Sequence, residues 1–258
     1  MDNSIAVITP VSFGLSYLLL VVILLIMKKQ KIRRTGLLVL ASLRMTIQLI
    51  LVGFVLQYLF SNPHPLLTTA FVALMLTFAV WQILKTRSDL NRRFRRAIAF
   101  SMVFSGLLVI LYFLLAVVRE DIFNPRYTIP LAGMIIGNAM TGITLGIRSF
   151  LETLKDQKGR IETLTNLGID FRDILKPMIN GALETALMPT LNSMLGMGIV
   201  FLPGMMTGQI LSGTVPVTAI VYQITIMMAI TASVCLTVFL ALTLGSRSLY
   251  NQDQQYTG

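Results

Sequence analysis

Seven apolar runs, each near the length of a membrane-crossing helix, constrain this chain more than any other feature of its sequence. A helix needs roughly 20 mostly apolar residues to cross the hydrocarbon core of a bilayer. Only 12% of the residues are charged, too few to coat a soluble domain. The sequence therefore predicts an all-α, polytopic membrane protein with about seven transmembrane helices in a single transmembrane domain over residues 1–258. The predicted spans cover residues 11–27, 36–60, 66–84, 97–118, 127–147, 187–202 and 217–244.

Lysine and arginine residues are concentrated in three loops, at residues 28–34, 85–96 and 148–176, and the loops between them carry little positive charge. Positively charged loops mark the cytoplasmic side of a membrane protein. We therefore expect the N-terminus outside and the C-terminus in the cytoplasm of a multi-pass protein of the cell (inner) membrane. The net charge of +10 does not indicate a nucleic-acid partner, because the basic residues share no face with aromatic residues or with a folded polar domain.

The side chains that catalysis or metal binding requires are scarce. The chain has one histidine, His64, and one cysteine, Cys235, and the predicted spans contain no paired carboxylates. An intramembrane enzyme would need an acid/base couple, and none is evident. One cysteine also excludes an intrachain disulfide framework and a cysteine-rich metal site. The sequence thus predicts neither an enzyme nor a bound cofactor, and it leaves the residues that contact any metal unknown.

A polar segment of about residues 148–186 separates the fifth and sixth predicted spans. Its apolar residues recur at helical intervals, with an interruption at Gly159. Gly168 stands where a C-capping glycine would end one helix, and Asp170, with Asp173 three residues later, resembles the N-cap of the next. The segment therefore predicts a helix, a turn and a second helix beginning near Phe171, which returns to the membrane.

At this segment the chain resembles a known family. The run from Glu162 to Gly168, followed by Pro177, is similar to the coupling loop of ABC-transporter permeases, in which an acidic residue and a glycine six positions later form the helix that sits in a groove on the ATPase. Four longer stretches resemble the FetB-type permeases, a family that includes bacterial iron exporters and plant proteins linked to aluminium tolerance. These stretches are RMTIQLILVGFVL at 44–56, IPLAGMIIGNAM at 129–140, ALMPTLNSM at 186–194 and LPGMMTGQILSG at 202–213, and the resemblance covers nearly the whole chain.

The resemblance implies a membrane-spanning permease subunit of an ABC transporter that exports iron or another metal. ATP would be used by a separate ATPase subunit, and two copies of this chain would assemble with two ATPases. The sequence agrees with this division of labour, because it has no G-x-x-x-x-G-K-[ST] phosphate loop. An ATPase-independent carrier or channel is the alternative, and it is disfavoured because carriers generally rely on acidic residues within the membrane. The residues expected to couple to the ATPase are Arg160, Glu162, Leu164, Leu167 and Gly168.

Polar and sulfur-containing residues within the spans are the candidates for a substrate pathway, because burying such groups in a membrane is costly. Arg44 lies one helical turn from Gln48, although a snorkelling arginine would give the same pattern. These residues also have a structural interpretation. Asparagine side chains and Gln223 can form hydrogen bonds between helices, and methionine side chains can fill hydrophobic cores. The predicted pathway residues are Arg44, Gln48, Asn138, Met140, Asn192, Met205 and Met206.

Glycine and proline mark two irregular regions. The Gly133 and Gly137 pair in the fifth span has the spacing that lets helix backbones approach closely, within the bundle or against a second copy. Residues 203–216 contain Pro203, Gly204, Gly208, Gly213 and Pro216, which disfavour one continuous helix. We expect either a re-entrant turn acting as an outer gate or an ordinary external loop.

Overall fold

The computed structural model of the protein describes residues 9–86 and 90–249, and within these residues the chain is all-α with no β-strand. This confirms the predicted fold class. Helix α4 continues into one π-helical segment, Phe113–Val118. The α-helices are α1 (Pro10–Lys29), α2 (Thr35–Ser61), α3 (Pro65–Thr86), α4 (Arg92–Tyr112), α5 (Pro125–Asp156), α6 (Lys158–Asn166), α7 (Phe171–Gly196), α8 (Gly204–Leu211) and α9 (Pro216–Ser246).

Six helices of the described chain are long and apolar enough to cross a membrane: α1, α2, α3, α4 with its π-helical end, α5 and α9. The run predicted over residues 187–202 differs, because no single helix covers it. Helix α7 ends at Gly196, and Gly198 follows with a φ of 80°. A turn then brings the amide of Gly198 to the carbonyl of Phe201 at 3.0 Å. Glycines at these positions permit a turn that an uninterrupted membrane helix would not contain.

The chain divides into two compact units, one of residues up to 62 with 211–213, the other of residues 63–210 and those from 214 onward. In the first unit α1 contacts α2, and the hydroxyls of Tyr17 and Thr46 form a hydrogen bond between them. Helix α1 has no buried residue, and its exposed side chains are almost all apolar. Such a surface is stable against lipid rather than water.

The second unit has a core made chiefly by α4, α5, α7 and α9. Helices α5 and α9 approach most closely at two glycines. A β-carbon at Gly142 would lie 2.5 Å from Cγ1 of Val234, and one at Gly146 would lie 2.7 Å from Cγ1 of Val238. Of the predicted pair, Gly133 would place a β-carbon 3.1 Å from Cε of Met75 on α3, whereas Gly137 has no described atom beyond its own helix backbone within 4 Å of that position. The glycines of α5 that pack closely against α9 are therefore Gly142 and Gly146.

The start of α4, the end of α5 and the end of α9 lie together at one end of the second unit. The ring of Phe94, at the start of α4, packs beside Phe150 of α5 with 6.5 Å between ring centroids. The same ring covers Gly245 near the end of α9, where a β-carbon would lie 2.8 Å from it. Asn91 Nδ2 also donates to the Ser248 carbonyl at 2.9 Å. The arginines after Asn91 and the end of α5, which belong to two of the basic loops, therefore lie at the same end as the end of α9, as we expect if the basic loops share one side of the membrane.

Candidate functional site

The turn between α6 and α7 is closed by a glycine in a left-handed conformation. Gly168 has a φ of 81°. Its amide donates to the Thr165 carbonyl at 2.9 Å, and the amide of Ile169 donates to the Leu164 carbonyl at 3.2 Å. These two bonds form a Schellman motif, which satisfies carbonyls at a helix end. The predicted C-cap at Gly168 is thus confirmed.

The next helix is capped as the sequence predicts. Asp170 precedes α7, and its Oδ1 accepts a hydrogen bond from the amide of Arg172 at 2.9 Å. Asp173 lies in the first turn, where a negative charge is favoured by the helix dipole. Local bonds therefore fix both sides of the turn. We call residues 158–175 the α6–α7 hairpin.

The inner face of the α6–α7 hairpin is anchored to the core of the second unit. Ile161 is 4% exposed and Phe171 is 1% exposed, and both belong to the same cluster of buried residues as Leu154 at the end of α5. Leu164 also packs against this cluster. Burying side chains of this size contributes about 1.5–3 kcal/mol each. The hairpin is therefore attached to the helices behind it through buried side chains.

The outer face of the hairpin presents the remaining predicted coupling residues. Arg160, Glu162 and Gly168 are exposed. Leu167 is 72% exposed, although it is a leucine. Glu162 Oε1 lies 3.9 Å from Nζ of Lys158, a distant and exposed ion pair that contributes little. Leu164 alone of the five points inward, so its structural role is to anchor α6.

A second candidate site is a cavity of about 210 Å³ between α5, α7 and α9, which we call the α5/α7/α9 cavity. Asn138 and Thr141 of α5 line it, as do Thr190 and Ser193 of α7. Sulfur-containing and amide side chains complete its polar lining, namely those of Met197, Gln223 and Met227. In the part of the chain that the structure describes, no residue with a charged side chain lines this cavity.

Gln223 is the most constrained polar group of this cavity. It lies on α9, is 8% exposed and places its Nε2 atom 4.0 Å from the sulfur of Met197. Its Oε1 atom is buried and has no hydrogen-bond partner within residues 9–86 and 90–249. Buried side-chain oxygens are usually hydrogen-bonded, and an unsatisfied one calls for an explanation. A ligand bound in the cavity would give this oxygen an interaction partner.

The structure brings one of the seven predicted pathway residues to this cavity, Asn138. Met140 lies partly buried on α5 and Asn192 is exposed on α7, neither of them lining the cavity. Met205 and Met206 lie on α8, the first partly buried and the second buried. Arg44 and Gln48 are exposed on α2, in the other compact unit.

Sequence reasoning missed the hydroxyl residues of this cavity, Thr141, Thr190 and Ser193. Hydroxyl side chains in membrane helices often bond to their own backbone, as Thr141 Oγ1 does to the Gly137 carbonyl at 3.2 Å. The presence of a threonine or serine in a membrane helix therefore does not by itself indicate that the residue lines a cavity. The spacing of Thr190 and Ser193 by three residues was the available signal, since it puts both on one helix face.

The described residues contain no group of three or more histidine, cysteine, aspartate or glutamate side chains that could hold a metal ion. Together with the long apolar helices, the site geometry defines a polytopic α-helical membrane protein with a capped hairpin at one end. The family described as "Uncharacterised protein family (UPF0014)" matches residues 10–250. This chain belongs to the UPF0014 family.

Two bacterial relatives cover almost the whole length of the chain, and a plant relative covers 71% of it. The chain is 30% identical to "UPF0014 membrane protein YjkA" of Bacillus subtilis, over 95% of this chain and 96% of that protein. It is 32% identical to "Probable iron export permease protein FetB" of Escherichia coli, over 96% and 95%. It is 33% identical to "Protein ALUMINUM SENSITIVE 3" of Arabidopsis thaliana, over 71% and 66%. The resemblance to FetB-type permeases is thus confirmed. No solved structure matches the chain significantly.

Proposed function

We propose that this protein is the membrane-spanning permease subunit of an ABC transporter, driven by a separate ATPase subunit that binds the α6–α7 hairpin. The observation that carries the proposal is the two-sided hairpin: its inner face is packed into the core through Ile161 and Phe171, and its tip exposes Leu167. Ile169, two residues later at the same turn, is 39% exposed, and an exposed apolar patch with charged residues around it is typical of a surface that another protein covers.

The charge pattern supports placing this hairpin on the side where ATP is available. The hairpin follows the basic end of α5, and basic loops face the cytoplasm. The protein would lie in the cell (inner) membrane as a homodimer bound to two ATPases. The six long apolar helices carry acidic residues only at the end of α5, Glu152 and Asp156, which favours an external motor over an ion-coupled carrier.

The names of two relatives support a proposal for the cargo and its direction. The Escherichia coli relative is named as an iron export permease and the Arabidopsis relative is named for aluminium sensitivity. We therefore propose that this chain exports a metal, iron being the first candidate. Any such metal is a substrate, which the protein binds transiently.

Site-specific cross-linking tests the contact with the ATPase. In a Cys235→Ser background no native cysteine remains, so Leu167→Cys carries a single photo-activated cross-linker at the hairpin tip. The matched control is Leu195→Cys, which is 81% exposed near the other end of α7. We expect the Leu167→Cys protein to cross-link to the co-expressed ATPase subunit and the control to give no such product. Equal cross-linking at both positions, or none at the hairpin, would exclude the proposed contact.

A further inference from the structure

The neutral lining of the α5/α7/α9 cavity restricts which cations it can hold. Among the described residues, none that lines it is acidic, basic or histidine. Asn138 and Thr141 are exposed at its mouth, but Gln223 and Met227 are each 8% exposed, so an ion beside these two is largely removed from water. The cost of that removal rises with the square of the ion's charge, and this lining has no carboxylate that would offset it for a multiply charged ion. A singly charged cation, in contrast, needs only dipoles and polarizable atoms around it.

The donor atoms present have a marked chemical preference. The cavity is lined by the thioether side chains of Met197 and Met227, and the amide of Gln223 lies beside the first of these, with Nε2 at 4.0 Å from its sulfur. Thioether sulfur selects soft ions such as Cu(I), whereas magnesium, calcium and manganese take oxygen ligands. Gln223 also lines the cavity, and its buried Oε1, which has no hydrogen-bond partner among the described residues, is a further donor atom.

We propose that the α5/α7/α9 cavity binds a soft, singly charged metal ion of the Cu(I) type, held by Met197, Met227 and Gln223. The claim that cargo passes through this site rests on the proposed transport function. The claim that the cavity binds the ion does not depend on the ATPase. Iron usually takes imidazole, carboxylate or thiolate ligands, and this cavity has none of them. These residues therefore do not fit iron, the first cargo proposed above, and the soft monovalent ion is proposed as a second cargo.

The test is metal binding to the purified full-length chain in detergent, without the ATPase. Ag(I) in chloride-free buffer serves as the probe for a soft monovalent ion, and Fe(II) under anaerobic conditions is the comparison. We expect Met197→Leu and Met227→Leu each to weaken Ag(I) binding at least about tenfold, because leucine keeps the volume and removes the sulfur. The control, Met228→Leu, alters the adjacent and exposed methionine and should leave the affinity unchanged.

X-ray absorption of the Cu(I)-loaded protein gives a readout that does not depend on affinity. Sulfur scatterers should surround the metal in the parent protein and be fewer in Met197→Leu. Unchanged Ag(I) affinity in both cavity variants, or tighter binding of Fe(II) than of Ag(I) by the parent protein, would overturn the proposal. Either result would leave the hairpin cross-link intact, so failure of the cargo site is distinguishable from failure of the permease assignment.

Discussion

Leu167→Asp should lower the affinity of this chain for its ATPase subunit by at least about tenfold. Covering a leucine side chain contributes about 1.5–3 kcal/mol, and each 1.4 kcal/mol is a tenfold change in affinity. The aspartate would in addition place an unpaired charge in the interface. Because Leu167 is 72% exposed in the chain by itself, its replacement should not affect folding.

The measurement is the affinity of the purified ATPase subunit for the detergent-solubilised chain, with the melting temperature of each variant recorded alongside. Leu167→Met is the matched control, since it keeps an apolar side chain of similar volume and should change the affinity by less than about tenfold. If Leu167→Asp and Leu167→Met bind the ATPase equally well, the hairpin tip is not part of the interface.

Gly146→Ala should destabilise the second compact unit by about 1–3 kcal/mol, the usual cost of overpacking a tight core. The added β-carbon would lie 2.7 Å from Cγ1 of Val238, and it would also meet Cβ of Ala186 at 3.3 Å. Branched valine cannot turn its methyl group away without strain, because its χ1 angle is restricted in a helix. The helices α5 and α9 must therefore move apart.

Thermal unfolding in detergent measures this effect, and we expect a midpoint lower by on the order of 5 °C. Gly137→Ala is the control on the same helix, because no atom lies within 4 Å of its added β-carbon. The double variant Gly146→Ala with Val238→Ala removes the close methyl group and should recover part of the loss, a coupling that distant sites do not show. Equal midpoints for the Gly146→Ala and Gly137→Ala proteins would contradict the close packing.

The hairpin was predictable from the sequence because its chemistry is local. Gly168 and Asp170 cap their helices through bonds to residues no more than a few positions away, so consecutive residues contain all of the information. The sequence could not distinguish the leucine that anchors α6 from the one at the tip. Leu164 and Leu167 are three residues apart, and only the position of the core decides which is covered.

The cavity was hardly predictable because it depends on residues far apart in the chain. Asn138, Ser193 and Gln223 come from three helices, and no spacing within one helix shows that they meet. The same limitation explains the glycines of α5. Gly133 and Gly137 share the four-residue spacing of Gly142 and Gly146, but only the second pair meets valines of α9. Composition also placed a full span over residues 187–202, where the extended conformation of Met197 and the left-handed conformation of Gly198 end the helix.

The central claim is that this chain moves its cargo only when a separate ATPase acts on it, and transport by reconstituted protein tests that claim most directly. The chain would be placed in liposomes with and without the ATPase subunit, and the uptake of iron, copper, manganese and aluminium would be followed on adding ATP to the hairpin side. We predict metal accumulation that requires the ATPase subunit and ATP together. Accumulation at the full rate by the chain alone, without ATPase or nucleotide, would contradict the account.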